Sequence, residues 1–459
     1  MKIIKKTYVT YLEWTFKTAY LLLALVTFNS FLYDSPIQPV LVKLCLILGI
    51  LTLLGRVLYF KDYAKTPYWW ILVLFCASFV ISIVANRKYG AAVADMKWLI
   101  WTGFLFFLLY VCDGTREKDF YKKEFRCYSH IMILYSSLAG LIGVIQMQTL
   151  YHGKWYTESK EMMLAGFHWG RLWGVYSDPN YGGVLSTIGI LLCIYYLLTQ
   201  KKWKRIPYVV GVFLNYLYIL FCDSRTALVA LVLSGIFWML FTGICCRWSW
   251  RRYAVGTIGV LLLAFVFLGG GSQIKEDYSK EIDKQIKAMD SQKGQVVSGS
   301  QGGRKNDLKN DVSNGRLALW ESGIEVWSTS PVVGTGYNSF LPYAKEHTPD
   351  TYAVNAPQGG YVSLHNEYLN ILVYQGILGF GILLVFALLS LRRWMKNLKI
   401  FAKEDTYYIG VLCACVLTVG IAMLFLMEGI YTNSPGAFVL WTFSGYLMHL
   451  TQERSSTNK

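Results

Sequence analysis

The sequence predicts an all-α polytopic membrane protein with about 12 transmembrane helices and one large external loop that contains short helices. Three observations lead to this fold class. Hydrophobic residues make up 54% of the 459-residue chain and charged residues only 16%, whereas roughly a quarter of a soluble protein is charged. The hydrophobic residues form continuous runs, and the basic residues collect in alternate connections between those runs.

A helix needs about 20 mostly apolar residues to cross a bilayer, and twelve runs approach that length. The first is too long for a cleavable signal peptide and is followed at once by another run. We place the runs at Trp14–Tyr33, Val40–Tyr59, Trp69–Ala85, Lys97–Cys112, Tyr128–Leu150, Tyr181–Leu198, Pro207–Cys222, Thr226–Ile244, Tyr253–Gly270, Leu369–Leu391, Tyr407–Met427 and Gly436–Leu450.

The distribution of positive charge predicts the orientation. The chain carries 44 basic and 28 acidic residues, a formal charge of +16, and 25 of the basic residues fall in alternate connections or at the termini. Cytoplasmic loops of membrane proteins are enriched in Lys and Arg in this way. We therefore expect a cytoplasmic membrane protein with both termini in the cytoplasm, and the basic excess gives no reason to expect a nucleic-acid partner.

One connection is much longer than the others. It divides the chain into an N-terminal membrane part at residues 1–270, an extracytoplasmic loop at 271–364 and a C-terminal membrane part at 365–459. The loop has ten basic and eleven acidic residues, so it is nearly neutral. Its first part, Gln273–Asp311, is rich in Lys, Gln, Ser and Gly and is predicted to be mobile; Ser313–Leu364 is predicted to be ordered.

Two arginines are candidates for binding an anion on the external side. Arg225 lies in Cys222-Asp223-Ser224-Arg225-Thr226, between two apolar runs, where a guanidinium is costly to desolvate without an anion or water. Pairing with Asp223, or reaching the lipid headgroups, would explain it without any function. Arg316 falls in the first turn of a predicted helix, where a cation is unfavourable unless an anionic ligand lies near.

The apolar residues of that second helix predict how it packs. Leu317, Trp320, Ile324 and Trp327 follow helical spacing and form one apolar face, with Ser313 or Asn314 as the N-cap. We expect the helix to lie on the membrane with its Trp residues at the interface. A solvated Arg316 on an exposed turn is the alternative.

A glycine-rich segment follows, Gly334-Thr335-Gly336-Tyr337-Asn338. It lacks the third glycine and the preceding strand of a nucleotide-binding loop. The glycines are predicted to let the external backbone fold tightly against the helix bundle.

His365 is the one histidine at the junction between the ordered external segment and a predicted membrane helix, in Leu364-His365-Asn366-Glu367. A neutral imidazole there could take a proton from a hydroxyl. A histidine bonded to backbone at a helix terminus is the plainer alternative. Glu367 is predicted to point to another side of the helix, and the six histidines are too scattered to suggest a metal site.

Asp178-Pro179-Asn180 opens the sixth predicted span, with Asp178 as the N-cap and Pro179 at the first helical position. This structural role is sufficient to explain the motif, although a carboxylate and an amide at a cavity rim could also bind sugar hydroxyls.

In their order and topological positions, these motifs resemble the O-antigen ligase family, which includes Wzy-type polysaccharide polymerases and lipid A-core O-antigen ligases. The resemblance covers about Tyr176–Gly379. It runs through Asp178-Pro179-Asn180, Ser224-Arg225-Thr226, Gly315-Arg316…Trp320, Gly334-Thr335-Gly336…Phe340 and His365-Asn366-Glu367-Tyr368-Leu369.

The resemblance implies a glycosyltransferase that needs no cofactor and no metal. Its donor would be an oligosaccharide on undecaprenyl diphosphate, its acceptor a glycan, and its surroundings membrane lipids with a flippase and chain-length regulators as further partners. Catalysis would fall to His365, Arg316 and Arg225, with the arginines on the diphosphate and His365 on the attacking hydroxyl. Asp178, Asn180, Tyr337 and Asn366 would contact substrate.

Other classes of protein remain open at this point. Within the enzyme class, a polymerase and a ligase are not separated by the sequence. A twelve-span transporter is a rival, although the long loop after the ninth span leaves no two related halves. A non-enzymatic scaffold would not need Arg225, Arg316 and His365 together.

Overall fold

The computed structural model describes residues 5–168, 170–259, 315–356, 359–401 and 405–452, and also residues 262, 265, 269, 271, 273, 276–278 and 280. The helices longer than one turn before the large loop include α1 Lys6–Thr27, α2 Ile37–Leu58, α3 Trp69–Ala85, α4 Ala92–Phe104, α5 Lys118–Gln148, α6 Pro179–Thr199, α7 Ile206–Cys222 and α8 Arg225–Cys245. A π-helix, Leu105–Tyr110, continues α4.

The described part of the loop contains α9 Arg316–Thr329, α10 Phe340–His347 and α11 Tyr352–Asn355. These are followed by α12 Glu367–Lys396, α13 Thr406–Met423 and α14 Pro435–Leu450. Short helices in the ordered half of the loop were expected. Nearly all of Gln273–Asp311, and part of the ninth predicted span, lie outside the described residues.

The membrane character of the fold is confirmed, but the count of twelve spans is not. In the part of the chain that the structure describes, eight helical segments are long and apolar enough to cross a membrane, and α3 is a shorter apolar helix. The first predicted span corresponds to α1, which carries buried Glu13 and Lys17. Lys17 pairs with Glu124 at 2.7 Å and Glu13 pairs with Arg56 at 2.7 Å, so each buried charge has an opposite partner.

A small sheet departs from the all-α prediction. Strands β1 His152–Tyr156, β2 Met162–His168 and β3 Arg171–Gly174 form an antiparallel sheet in the order β1-β2-β3. The loop after α1 holds it, since Ser30 Oγ donates to the Leu164 carbonyl at 2.6 Å. Apolar run length, which predicted the spans, does not detect so short a sheet.

α9 packs against the rest of the protein on a different face from the apolar face that is predicted to lie on the membrane. Leu319, Ser322, Gly323 and Val326 are buried, whereas Leu317 and Ile324 of the predicted face are exposed. Gly323 explains the difference, because a Cβ at that position would lie 2.4 Å from the Leu364 side chain. The small residue lets α9 approach the start of α12 closely. The N-cap position is Gly315, with φ +78°, and Ser313 and Asn314 lie outside the described residues.

The glycine-rich segment docks into a break in α12, as its predicted close packing requires. Gly376 has φ 63° and ψ −168°, which interrupts the helix. Thr335 N–H and Gly336 N–H donate to the Val373 and Tyr374 carbonyls, both at 2.9 Å. Ile377 N–H donates to the Pro331 carbonyl at 2.8 Å. The loop therefore satisfies backbone groups that the break would leave unpaired.

Replacing Gly334 by Ala should lower the melting temperature of the purified protein. Gly334 has φ +69°, and a Cβ there would lie 2.5 Å from the Val373 carbonyl oxygen and the Gly376 nitrogen. The backbone strain and the clash together should cost ~2 kcal/mol or more. Differential scanning fluorimetry in detergent measures the change.

Gly381→Ala in α12, the helix on which Gly334 docks, is the control, since a Cβ at Gly381 would meet no atom within 4 Å. It should leave the melting temperature unchanged or raise it. Equal melting temperatures for the two variants would contradict the docking of the loop on α12.

Candidate active site

A cavity of about 210 Å³ lies where the sheet, the described part of the loop and three helix starts meet. β3 contributes its first residue, α6 and α9 contribute their N-terminal residues, and the segment before α12 contributes an aromatic ring and an imidazole. The lining residues are Arg171, Asp178, Asn180, Gly315, Arg316, Leu319, Tyr361, His365 and Leu426. Four of the predicted site residues, Asp178, Asn180, Arg316 and His365, are therefore brought together.

The α6 side of the cavity is rigid. Asp178 is the N-cap of α6, its Oδ1 accepting the Asn180 N–H at 2.6 Å, and Pro179 is the first helical residue, as predicted. Asn180 Oδ1 in turn accepts from Arg171 Nη2 at 2.9 Å, and Arg171 Nε donates to the Cys222 carbonyl at 2.8 Å. Arg171, only 8% exposed, is thus fixed at the cavity wall.

Arg316 faces this wall from the first turn of α9. Burial is the main cause that lowers its pKa from the usual value; Asp178 opposes this, while Arg171 and Arg225 add to it. The guanidinium stays charged at neutral pH because its normal pKa is so high. Three arginines act on this region with Asp178 as the opposing charge, so the site favours a multiply charged anion.

The starts of α6, α9 and α12 strengthen that preference. The first turn of each helix has backbone N–H groups without a partner inside the helix and carries a partial positive charge. α6 and α9 contribute their first residues to the cavity wall, and His365 lies two residues before α12. Helix N-termini in this arrangement are favourable for phosphate groups.

His365 has an unusual backbone and an available imidazole. Its φ is +50°, the left-handed region that costs a non-glycine residue free energy. In the described part of the chain its ring nitrogens have no hydrogen-bond partner, and its ring lies 5.9 Å from that of Tyr361, centroid to centroid. Burial, then the charge of Arg316, lowers the pKa of His365, while Asp178 acts in the opposite direction. The imidazole is neutral at pH 7 and can accept a proton.

A hydrogen-bond network holds the backbone of His365. Ser363 Oγ accepts the His365 N–H at 3.3 Å and Asn370 Nδ2–H at 3.1 Å, and its own proton goes to the Glu428 carboxylate. These bonds use the full capacity of the hydroxyl. Glu367 points away from the cavity, as predicted, and its Oε1 accepts the N–H groups of Gly429 and Ile430 at 3.1 and 2.9 Å.

The other three predicted site residues do not line the cavity. Asn366 is the N-cap of α12, its Oδ1 accepting the Leu369 N–H at 3.2 Å. Tyr337 stacks on Tyr431 with centroids 5.1 Å apart, within an aromatic cluster behind the site. Arg225 begins α8 and acts on the cavity through its charge, which lowers the pKa of Arg316.

Sequence reasoning missed Arg171 and Tyr361 as parts of the site. One signal for Arg171 was present: it is one of the few basic residues in the predicted short external connections. Nothing in its local sequence indicates that the sheet brings it to Arg316. In the described ranges, no three His, Cys, Asp or Glu side chains come together as metal ligands would.

Residues 210–384 match the family model Wzy_C, which is described as O-antigen ligase. Over this stretch the chain is similar to the O-antigen ligase family. This confirms the family resemblance found in the sequence, and together with the apolar helices it supports a membrane glycosyltransferase role in polysaccharide processing. A comparison with curated proteins found no match.

The O-antigen ligase match contains only part of the cavity. Arg225, Arg316, Tyr337, His365 and Asn366 fall within residues 210–384. The cavity wall formed by Arg171, Asp178 and Asn180 lies N-terminal to the matched region. The structure therefore places residues from outside the O-antigen ligase match against residues from inside it.

The pKa of His365 should lie below the usual histidine value of about 6.5 and should move in opposite directions in two variants. Arg316→Gln removes a cation and should raise the pKa, whereas Asp178→Asn removes an anion and should lower it further. NMR titration of protein with labelled histidine, assigned by loss of the signal in His365→Gln, measures these shifts. A His365 pKa that is the same in the unchanged protein and in both variants would contradict the geometry of the cavity.

Proposed function

We propose that this chain polymerises undecaprenyl-diphosphate-linked oligosaccharide repeat units into a surface polysaccharide, either a capsule or an O-antigen. The reaction would be a metal-independent, inverting glycosyl transfer on the outer face of the cytoplasmic membrane. The observation that carries the proposal is one cavity that brings together Arg171, Arg316 and His365, whose ring nitrogens have no hydrogen-bond partner among the described residues and whose pKa is lowered, chiefly by burial.

The proposed reaction follows from these positions. The guanidinium groups of Arg171 and Arg316, with the charge of Arg225 behind them, hold the diphosphate of the donor. The oxygen of the acceptor hydroxyl attacks the anomeric carbon, and a ring nitrogen of His365 takes the hydroxyl proton. The bond from the anomeric carbon to the phosphate oxygen breaks, and the lipid diphosphate leaves with the electron pair. Attack opposite the leaving group inverts the configuration.

The size and depth of the cavity suit the reacting end of such a donor. About 210 Å³ is smaller than the roughly 300–1,000 Å³ of pockets that enclose drug-sized ligands. It would take the diphosphate and the adjoining sugar, with the remaining glycan outside. The cavity also lies at helix starts, the depth at which the headgroup of a lipid-linked donor is found.

The topology belongs to the same proposal. It has twelve spans, both termini in the cytoplasm, and the divisions 1–270, 271–364 and 365–459. A flippase that delivers donor and a chain-length regulator would be partners. A ligase that moves finished glycan onto a lipid or protein acceptor is the alternative, since the same cavity would serve both; a polysaccharide transporter is a more distant one.

Purified protein given a lipid-linked oligosaccharide repeat, without ATP, metal or nucleotide sugar, should produce a ladder of longer lipid-linked products. His365→Ala should reduce turnover by a factor of about 10²–10⁴, the usual contribution of a general base. His347→Ala is the control, because His347 is exposed and bonds Tyr89 rather than the cavity.

The product pattern decides between the candidate functions. Transfer of a single unit to a different acceptor would favour the ligase, and substrate flux without transfer would favour the transporter. Normal turnover by correctly inserted His365→Ala protein would overturn the assignment of the base.

Arg171→Gln should weaken inhibition by inorganic pyrophosphate by about tenfold or more, because a hydrogen bond to a charged group contributes about 1.5–3 kcal/mol. Arg171→Lys keeps the charge but loses the planar guanidinium, so its inhibition constant for pyrophosphate should lie between those of the unchanged protein and Arg171→Gln. Arg87→Gln is the matched control, since Arg87 is exposed and outside the cavity. Unchanged inhibition constants in Arg171→Gln protein with a native melting temperature would remove Arg171 from the site.

A further inference from the structure

A second cavity lies near the far end of α12 from His365. Its volume is about 380 Å³, and it is formed by the last turns of α12 and α14 and the residue before α3. A straight helix of 30 residues spans about 45 Å, so this cavity is well separated from the first. The lining residues are Tyr68, Leu389, Arg392, Arg393, Lys396, Asn397 and Thr451.

Among the described residues, the lining is cationic and contains no carboxylate. In the described part of the chain, none of Arg392, Arg393 and Lys396 forms an ion pair. Arg393 is held in place, with Nε donating to Thr451 Oγ1 at 2.6 Å and Nη2 to the Thr451 carbonyl at 3.1 Å. A fixed guanidinium between two further cations is arranged to bind an anion.

The surface around the cavity is apolar. Leu388, Leu391 and Met395 of α12 are each more than half exposed, and so is Trp70 at the start of α3. Exposed leucine and methionine on a membrane helix face acyl chains, and Trp and Tyr collect at the headgroup level. Tyr68 itself has φ +64°, a strained conformation at the rim of the cavity. The cavity therefore opens at the boundary between acyl chains and headgroups.

We propose that this cavity binds the phosphate of an anionic phospholipid headgroup, with the acyl chains along the exposed apolar side of α12. The shared chemistry of lipid and free phosphate is a phosphate oxyanion, but the apolar flank and Leu389 favour the lipid. If these basic residues only determined the orientation of the protein in the membrane, they would need neither a cavity nor a guanidinium that is held in place by Thr451.

Binding there would act on α12, whose N-terminal end lies beside the candidate active site. α12 begins two residues after His365, and its last turn carries Arg393 and Lys396. A lipid that contacts both α12 and α14 would hold the part of α12 that follows the break at Gly376 in place. The inference does not depend on the proposed reaction, because lipid binding can be measured without substrate.

The test compares phosphatidylglycerol, phosphatidylcholine and inorganic phosphate by native mass spectrometry and thermal shift of the full chain in detergent. Phosphatidylglycerol should remain bound and raise the melting temperature, while the other two should not. In Arg392→Gln/Lys396→Gln protein the apparent affinity for phosphatidylglycerol should fall by about tenfold or more. Arg393 is left intact because it holds Thr451.

Lys201→Gln/Lys204→Gln protein is the matched control, since both lysines are exposed and lie outside the cavity. It should keep the affinity for phosphatidylglycerol. Equal losses in the two double variants would mean a general effect of basic loops and would overturn the site. A melting-temperature rise with inorganic phosphate alone would overturn the lipid as its ligand. If the double variant is unstable, Lys396→Gln alone should still lose affinity.

Discussion

The break in α12 at Gly376 is the constraint on which the arrangement of the candidate site depends. A helix that stops pairing its own backbone inside a bilayer exposes N–H and C=O groups that cost several kcal/mol each if unpaired. Here the segment Pro331–Gly336 pairs with residues on both sides of Gly376. α3 secures the same segment, because Asn86 Nδ2 donates to the Gly334 carbonyl at 3.0 Å. The docked segment and the broken helix therefore stabilise each other through these backbone hydrogen bonds.

This docking fixes the two ends of the candidate site at the same time. α9 precedes the docked segment, so Arg316 is held on one side of the cavity, and α12 follows the loop, so His365 is held on the other. Trp320 Nε1 donates to the Leu364 carbonyl at 3.1 Å and joins the two directly. The left-handed backbone of His365 is tolerated because the bonds of Ser363 and Asn370 around it are already determined by packing.

The parts of the fold that the sequence predicted are those set by local pattern. Apolar runs located the helices, and Asp178 with Pro179 marked the start of α6, because an N-cap acts within one turn. The ordered motifs also placed His365 and Arg316 on the same side of the molecule. The buried face of α9 could not be predicted, since it depends on how closely Gly323 approaches Leu364, a residue 41 positions away in the sequence.

Arg171 shows the same limit more strongly. Its role depends on the three-stranded sheet, which Ser30 bonds through the Leu164 carbonyl, and on the bond from Arg171 to the Cys222 carbonyl. These contacts join residues that are far apart in the sequence. The break at Gly376 has a similar origin. Gly376 is one of three glycines in its apolar run, and nothing local marks it as the point of interruption. The signal lay instead in the distant pair Gly334 and Gly336, whose partner could not be identified from the sequence.

In the proposed reaction, the charges around the base change as the substrate binds. In the free protein burial, and then the charge of Arg316, lowers the pKa of His365, which favours the neutral imidazole that can accept a proton. A bound diphosphate would offset the charges of Arg171 and Arg316, so the imidazole would become more basic when the donor is in place. The proton that His365 then takes from the acceptor gives an imidazolium next to the diphosphate as its negative charge increases on leaving. Before the donor binds, the positive charges of the arginines would disfavour protonation of His365. After the diphosphate has offset those charges, His365 would accept the hydroxyl proton more readily.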